Sequence, residues 1–355
     1  MQAFTYTSTA ARVIFGRGSL QQLEQETRLL GAQRALVLCT PGQRASAERV
    51  AALLGPRCAG IFDQAVMHVP IETARQAREV ARQLGADCAI AIGGGSTLGL
   101  GKAIALESEL PILAIPTTYA GSEMTPIYGI TEAGLKKTGR DVRVLPKTVI
   151  YDPELSVGLP LALSVTSGIN AMAHAAEGLY AADANPIMSM LAEEGIRALA
   201  EGLPRIVARS DDIDARSHCL YGAWLCGTVL GNVGMSLHHK LCHTLGGSYN
   251  LPHAQTHTVI LPHALAYNAP AAPQAMQRIA RALGVEDAAQ GVYDLAARLQ
   301  APLSLQALGM PREALEHCAD IALQNAYANP RALERAALLA LLEDAWEGRR
   351  PQPAG

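Results

Sequence analysis

The sequence predicts two domains of different class: an N-terminal α/β domain built on a doubly wound, Rossmann-like parallel sheet, and a C-terminal all-helical domain. Three observations carry that expectation. Over residues 1–158, short continuous apolar runs alternate with amphipathic helical stretches, as in a parallel sheet covered on both faces. Over 159–347 the text is rich in Ala and Leu at a 3.6-residue period, with almost no β-branched alternation, which reads as helices. The 355 residues are long enough for two domains of roughly 100–200 residues each.

Taken in order, RVIFG is a strand, and Ser19-Leu-Gln-Gln22 has the form of a capping box opening a helix. RALVLCT (34–40) is a short apolar strand followed by helical ASAERVAALLG. GIFDQAVM, the helix ETARQAREVARQLG, then DCAIAI and PILAIPTT continue the alternation. The segment 135–147 carries Lys136, Lys137, Arg140, Arg143 and Lys147. It reads as the solvated face of a hairpin, or as a region that attracts an anionic cofactor or a substrate carboxylate. After VIYDPELSVGLP come the helical segments AEEGIRALAEGLPRIV, AMQRIARAL and RALERAALLALLEDAW. The Pro- and Gly-rich end, 348–355, is expected to fray.

Composition excludes several classes. Net charge is −3 and no basic run exceeds a pair, which argues against nucleic acid or a membrane surface as partner. Apolar residues make up 49% and charged residues 17%, enough for a sizeable core. No uncharged apolar stretch approaches the ~18 residues of a membrane span, and the N-terminal text lacks a signal-peptide layout. Seven scattered cysteines without a CxxC pair fit a reduced, cytoplasmic chain with small buried thiols. Cys242, between Leu241 and His243, is either a helix-packing residue or a reactive thiol.

Gly93, Gly94, Gly95 and Ser96 follow an apolar strand and precede a helical stretch. Glycines there let a backbone approach a pyrophosphate, and the following helix presents N–H groups and a positive dipole end. A plain tight turn is the competing reading, since the six-residue dinucleotide fingerprint is incomplete at Leu98. Thr117, Thr118, Ser122 and Thr125 stand at the end of another strand, where open α/β sheets bind ligands; caps and turns would use the same residue types. Thr40 ends the strand after which an acidic residue would select the ribose 2′-hydroxyl of NAD. With no carboxylate there, both NADH and NADPH are admissible.

The histidines are the densest chemistry. Asn170 and His174 are four residues apart, and His239 and His243 repeat that spacing, with His253 one short loop further on. On a helix such pairs share one face. Two facing helices would gather these polar side chains at one point, as in a divalent-metal site whose carboxylate is replaced by an amide. His68, His218, His257, His263 and His317 are expected to be ordinary core or surface histidines.

The ordered set GGGS, PTT…GSEMT, LPKTVIYDPEL, NAMAHAAEG and HHKLCHTLGGSYNLPH resembles the iron-containing alcohol dehydrogenase superfamily, whose fold is shared with dehydroquinate synthase and glycerol dehydrogenase. The resemblance runs through nearly the whole chain. It implies an active site in a cleft between the nucleotide-binding and helical domains, a nicotinamide cofactor and a homodimer. In metal-dependent members an Asp and three His are ligands. By motif these fall on Asn170, His174, His239 and His253, with His243 a nearby active-site histidine. Asn170 departs from the pattern, as does Gly99, where the glycine loop commonly carries Asp. Together with GGGSTLGLGKAIAL and PTTYAGSEMTPIYGITE, the Asn variant resembles a branch that reduces a C=C bond conjugated to a ketone in a small dicarboxylate, using NADH or NADPH, in aromatic-compound degradation.

An amide suits that chemistry. Three neutral imidazoles without a carboxylate hold a hard cation poorly. An enolate, unlike an alkoxide, can be stabilised by preorganised hydrogen-bond donors. The expectation is therefore a metal-independent site. His239, His243 and His253 serve the enolate and the proton transfer, Asn170 and His174 orient the substrate oxygen, and Gly93–Ser96 with Thr117, Thr118 and Thr125 hold the nucleotide. Arg140 or Arg143 is a candidate carboxylate anchor. The rival readings are a metal-dependent alcohol or polyol dehydrogenase, a lyase that recycles its NAD, and a non-enzymatic binding protein.

Overall fold

The structure, a computed structural model, describes residues 4, 6 and 7, 11–133 and 135–352. They divide into two compact units: residues 11–159, and residues 160–352 together with the described N-terminal residues 4, 6 and 7, which the sequence expectation had put in the α/β domain.

The first unit contains, in order, β1 (Arg12–Phe15), α1 (Leu23–Leu29), β2 (Ala35–Leu38), α2 (Arg44–Leu54), β3 (Cys58–Phe62), α3 (Ile71–Gln83), β4 (Cys88–Gly93), α4 (Gly95–Ser108), β5 (Ile112–Pro116), β6 (Ile127–Glu132), β7 (Leu135–Arg140) and β8 (Thr148–Tyr151). Six of these strands form one sheet in the order β1-β8-β5-β4-β2-β3, every pair parallel. The period-2 geometry of a strand sends alternate residues to opposite faces. Ala35 and Val37 of β2 join the cluster that holds Leu23 of α1 and Ala47, Val50 and Leu54 of α2. Leu36 and Leu38 join Ala74, Ala77 and Ala81 of α3 and Leu100, Ala103 and Ile104 of α4. Both faces of β2 are therefore dry, which is why the strand reads as an uninterrupted apolar run. A fully buried aliphatic side chain of this kind contributes about 1.5–3 kcal/mol.

The chain leaves β2 outward to β3 and returns on the other side of β2 as β4. That reversal is a topological switch point, where open α/β sheets bind ligands at the carboxyl ends of their strands. Thr40 and the glycine turn follow the two strands that flank it.

Two local expectations are corrected. Ser19 does not cap a helix: Ser19–Gln22 is itself a 3₁₀ turn entered through Gly18 in the left-handed region, φ 74°. The Ser19 hydroxyl donates instead to the Tyr151 carbonyl at 3.1 Å, so a long-range partner displaces the local cap. Residues 348–352 are fastened rather than frayed. The Gly348 carbonyl accepts from the Tyr293 hydroxyl at 2.6 Å, the Pro351 carbonyl from Gln290 Nε2 at 2.9 Å, and Arg350 pairs with Asp294. Pro and Gly rule out a helix there but leave carbonyls free to find donors; residues 353–355 lie outside the described residues. The basic segment does form a hairpin, β6 pairing antiparallel with β7; the side chain of Lys136 is outside the described set.

The second unit is helical: α5 (Leu161–Leu179), α6 (Pro186–Ala208), α7 (Ile213–Asn232), α8 (Leu237–Tyr249), α9 (His253–Asn268), α10 (Pro273–Leu283), α11 (Ala288–Arg298), α12 (Leu315–Ala322) and α13 (Arg335–Glu347). α5 is the central helix, buried on all sides from Ser164 to Leu179, as its Ala-rich text without a polar stripe requires. Leu237, Leu241 and Leu245 of α8, Val259 and Ile260 of α9, and Leu338 and Leu342 of α13 share one core.

Candidate functional site

In the first unit the glycine turn joins β4 to α4. Gly94 precedes α4, whose first turn has no side-chain cap, leaving the helix N-terminus in the form that receives anions. The three glycines are there for different reasons. Gly93 has φ 152°, and a Cβ on it would lie 2.5 Å from Thr97 Oγ1 and 2.7 Å from Gln43 Oε1. Its constraint is internal packing rather than room for a ligand. A Cβ on Gly94 would meet Thr118 Cγ2 at 2.9 Å, whereas one on Gly95 meets nothing closer than Ala120 at 4.0 Å. Gly95 is exposed and Ser96 half-buried, so these two present the open edge of the turn.

Gln43, to which the sequence reading gave no role, ties the switch point together. Its Nε2 donates to Thr117 Oγ1 at 2.8 Å, and its Oε1 accepts from the Thr40 hydroxyl at 3.3 Å. The loops after β2, β4 and β5 are thus joined around the turn. Thr125, expected beside the nucleotide, is buried, and its hydroxyl and carbonyl each accept from Lys102 Nζ at 2.9 Å. Lys102 was likewise passed over. Its buried ammonium also donates to the Ser122 carbonyl at 2.7 Å, Ser122 Oγ at 3.1 Å and the Ile127 carbonyl at 2.7 Å. It pins the 122–127 segment to α4. Burial pulls its pKa down to about 7, opposed by nearby Glu123. Glu123, which accepts from the Tyr151 hydroxyl at 2.7 Å, is itself pushed up by burial.

In the second unit six imidazoles and three other polar groups, Asn170, Glu177 and Cys242, converge from three helices. α5 carries Asn170, His174 and Glu177, within a stripe about 60° wide at 100° per residue. α8 carries His239 and His243 on one line, and His238 and Cys242 on the next; α9 begins with His253 and His257 one turn apart. Asn170, His174 and His239 are buried, whereas His243 and His253 are exposed at the rim.

The hydrogen bonds fix the protons. His239 Nδ1 lies 2.7 Å from Glu177 Oε2, so it carries the proton and donates to the carboxylate. With one proton per ring, His239 Nε2 is a lone pair and accepts from His174 Nδ1 at 2.9 Å. His174 Nε2 is left as acceptor and faces Asn170 Nδ2 at 3.5 Å. One directed relay results: Asn170 to His174 to His239 to Glu177. It occupies both ring nitrogens of His174 and of His239, and leaves Asn170 Oδ1 buried without a partner among the described residues.

Glu177 anchors the relay and has a second task. Its Oε1 accepts the His238 backbone N–H at 2.8 Å; its Oε2 accepts those of Ser236 at 2.9 Å and His239 at 3.3 Å. Ser236 supplies no side-chain cap to α8, so a carboxylate from α5 caps it, charge and hydrogen bonds together. Sequence reasoning missed this residue, although it sits three positions after His174 and shares its face.

His257 is the clearest correction. It was set aside as an ordinary histidine, yet its Nδ1 is 2.9 Å from His238 Nε2, and its ring centroid is 4.3 Å from that of His253 and 5.1 Å from that of His239. The signal was available: His253 and His257 repeat the four-residue spacing that singled out the other two pairs. Burial pushes His238 and His257 well below the usual imidazole range, reinforced by the neighbouring rings. Both are neutral. Each of His238, Cys242 and His257 brings one donor atom within 4.8 Å of the others. Burial, and secondarily Glu177, holds the Cys242 thiol well above its ordinary pKa, so it is a protonated packing group rather than a reactive thiolate. All seven cysteines are free. Of the two candidate carboxylate anchors, Arg143 is already paired with Asp141 at 2.7 Å. No helix among the described residues is long and apolar enough to cross a membrane.

Comparison with known proteins matches residues 10–153 to the family described as iron-containing alcohol dehydrogenase, and residues 164–346 to the C-terminal part of the same family. The maleylacetate reductase of Burkholderia cepacia is 64% identical over 351 residues, covering 99% of this chain and 100% of that protein. The crystal structure of maleylacetate reductase from Agrobacterium tumefaciens superposes with a TM-score of 0.96 at 55% identity, covering 99% of this chain and 100% of that one. A putative alcohol dehydrogenase from Ralstonia eutropha JMP134 gives a TM-score of 0.98 at 66% identity, with 99% and 100% covered.

Proposed function

Because the chain belongs to the iron-containing alcohol dehydrogenase family, we propose that it is an oxidoreductase that reduces the C=C bond of maleylacetate to 3-oxoadipate with NADH or NADPH, without a catalytic metal. The observation that carries the metal-free part is the donor set. The carboxylate beside the imidazoles, Glu177, accepts backbone N–H groups on both oxygens, and the position that would supply a ligand carboxylate is the neutral amide of Asn170. His174 and His239 direct nitrogens at each other across 2.9 Å. Imidazole nitrogens suit Fe²⁺ or Zn²⁺, but here they are spent on each other, and the set lacks the anionic oxygen that an Asp would supply.

The nucleotide fits the first unit. Gly95, Ser96 and the uncapped start of α4 would hold its pyrophosphate, with Thr117 and Thr118 beside them; Thr125 is committed to Lys102. The bound nucleotide supplies a hydride to the β-carbon of the enone. Charge then spreads onto the ketone oxygen as an enolate, which is stabilised by oriented donors. Asn170 has a second amide N–H beyond the one directed at His174. His239, engaged at both nitrogens, acts by orienting His174 and Asn170. His243 and His253, exposed at the rim, can exchange protons with water and supply the one that completes the α-carbon. No carboxylate follows Thr40 directly, which supports use of both nucleotides. A cytoplasmic homodimer belongs to the same reading.

Incubation with maleylacetate and NADH tests it: one nucleotide oxidised per 3-oxoadipate formed supports a reductase. Turnover without net oxidation would point to a lyase that recycles its nucleotide. One observation favours a metal-dependent alcohol dehydrogenase instead, the unpartnered Asn170 Oδ1, which could serve as an oxygen ligand.

A further inference from the structure

We infer that His257 is a substrate-contacting hydrogen-bond donor, held in the required tautomer by His238. The inference deepens the reading of the site as a maleylacetate reductase and rests on it.

His257 is the hub of the cluster. Its ring centroid lies 4.3 Å from His253, 4.8 Å from His238, 5.1 Å from His239 and 6.2 Å from His174. No part of it reaches bulk solvent. One edge is satisfied, with Nδ1 at 2.9 Å from His238 Nε2. The other ring nitrogen, Nε2, is buried with no hydrogen-bond partner among the described residues. Buried polar atoms are nearly always paired, so an orphan at the centre of a polar cluster calls for a partner from outside the protein.

The pair shares one proton between facing nitrogens, and only two arrangements are open to neutral rings. If His257 Nδ1 donates to His238, then His257 Nε2 is a lone pair and would repel a developing enolate. If His238 Nε2 donates, to His257 Nδ1 and more weakly to Cys242 Sγ at 3.7 Å, His257 accepts on Nδ1 and carries its proton on Nε2, ready for an oxyanion. The second arrangement matches the chemistry. It is a second relay, His238 to His257 to substrate oxygen, alongside the one that ends on Glu177. His238 is then a positioning residue, and the orphan on its own Nδ1 is an acceptor.

Two variants separate the donor from mere filling of space. An amide at the Asn position mimics ring Nδ1, and one at the Gln position mimics ring Nε2. His257→Asn should keep the contact with His238 but lose the donor. Its kcat should fall on the order of 10²–10³-fold, the loss typical of an oxyanion donor, with KM changed by less than about threefold on that reasoning. His257→Gln should recover at least about tenfold of the lost kcat, since it restores an N–H at the Nε2 level. ¹⁵N NMR of the wild-type imidazoles gives a readout independent of turnover. His257 should be protonated on Nε2 and not on Nδ1, and the Nε2–H resonance should move on addition of 3-oxoadipate with NAD⁺. A kcat for His257→Asn within threefold of wild type, an equal loss in both variants, or an Nδ1-protonated ring would overturn the assignment. A wild-type enzyme without maleylacetate turnover would instead remove the parent reading, and the tautomer would still decide the hydrogen-bond arrangement.

Discussion

Glu177→Gln is the perturbation whose consequences can be worked furthest. The carboxylate is fully buried and accepts three backbone N–H groups, one imidazole N–H and, at 3.5 Å on Oε1, the Tyr180 hydroxyl. Glutamine keeps the shape but has one acceptor oxygen. If that oxygen takes the Oε2 position, with its three donors, the amide NH₂ faces the His238 N–H. One buried donor in the first turn of α8 then has no acceptor, at about 1–3 kcal/mol. Loss of the negative charge at a buried helix N-terminus adds up to ~2 kcal/mol. A total of about 1–5 kcal/mol, at roughly 2–4 °C per kcal/mol for a unit of this size, lowers its unfolding midpoint by about 2–20 °C. In that placement His239 Nδ1 still donates to the amide oxygen, so the relay keeps its direction and kcat should stay within about tenfold of wild type. Scanning calorimetry, steady-state kinetics and ¹⁵N spectra of His239 form the assay. A midpoint within about 1 °C of wild type, or a His239 proton moved to Nε2, would refute the reasoning.

The glycine turn makes a paired prediction. Gly93→Ala places a Cβ 2.5 Å from Thr97 Oγ1 at φ 152° and should destabilise the first unit by about 1–3 kcal/mol. Gly95→Ala meets only the Ala120 Cβ, at 4.0 Å, and should leave stability within ~0.5 kcal/mol while raising the KM for NADH; chemical denaturation and nucleotide titration check both. Acid should weaken the helical unit through His263, whose buried ring has its pKa lowered to about 4 by desolvation, opposed by Asp344. The unfolded ring, near 6.5, binds a proton that the folded ring refuses over that window, so stability is present above pH 6.5 and is lost as pH falls towards 4. The full loss is about 3 kcal/mol, and His263→Gln should flatten a plot of denaturation midpoint against pH over this range. Asn170→Asp restores an anionic oxygen to the cluster and should raise Fe²⁺ or Zn²⁺ affinity at least about tenfold, read by calorimetric titration; equal affinity in both forms would deny Asn170 its assigned effect.

The architecture was legible because burial and periodicity coincide. β2 and β4 are dry on both faces, so their text is a continuous apolar run, and α5 has no polar stripe because it is enclosed. Local rules failed where a distant partner took over, as when Tyr151 claimed the Ser19 hydroxyl. In the site, spacing along single helices found Asn170, His174, His239 and His243. It could not show that Glu177 reaches from α5 to the start of α8, because that contact spans 59 residues or more. Lys102 was hidden for a related reason. Its meaning lies in carbonyls of a segment 20–25 residues away, and backbone acceptors leave no mark in a sequence. His257 was missed without such excuse, since its spacing from His253 was in plain text.

The proposed function has the histidine cluster reduce an enone through hydrogen-bond donors, with the amide of Asn170 where a metal site would call for a carboxylate. The most direct measurement is the rate of NADH oxidation at 340 nm with maleylacetate, on protein dialysed against EDTA and analysed for metal. Undiminished turnover at a metal content far below one ion per chain is the predicted result. Turnover abolished by the chelator and restored by Fe²⁺ or Zn²⁺ would contradict it.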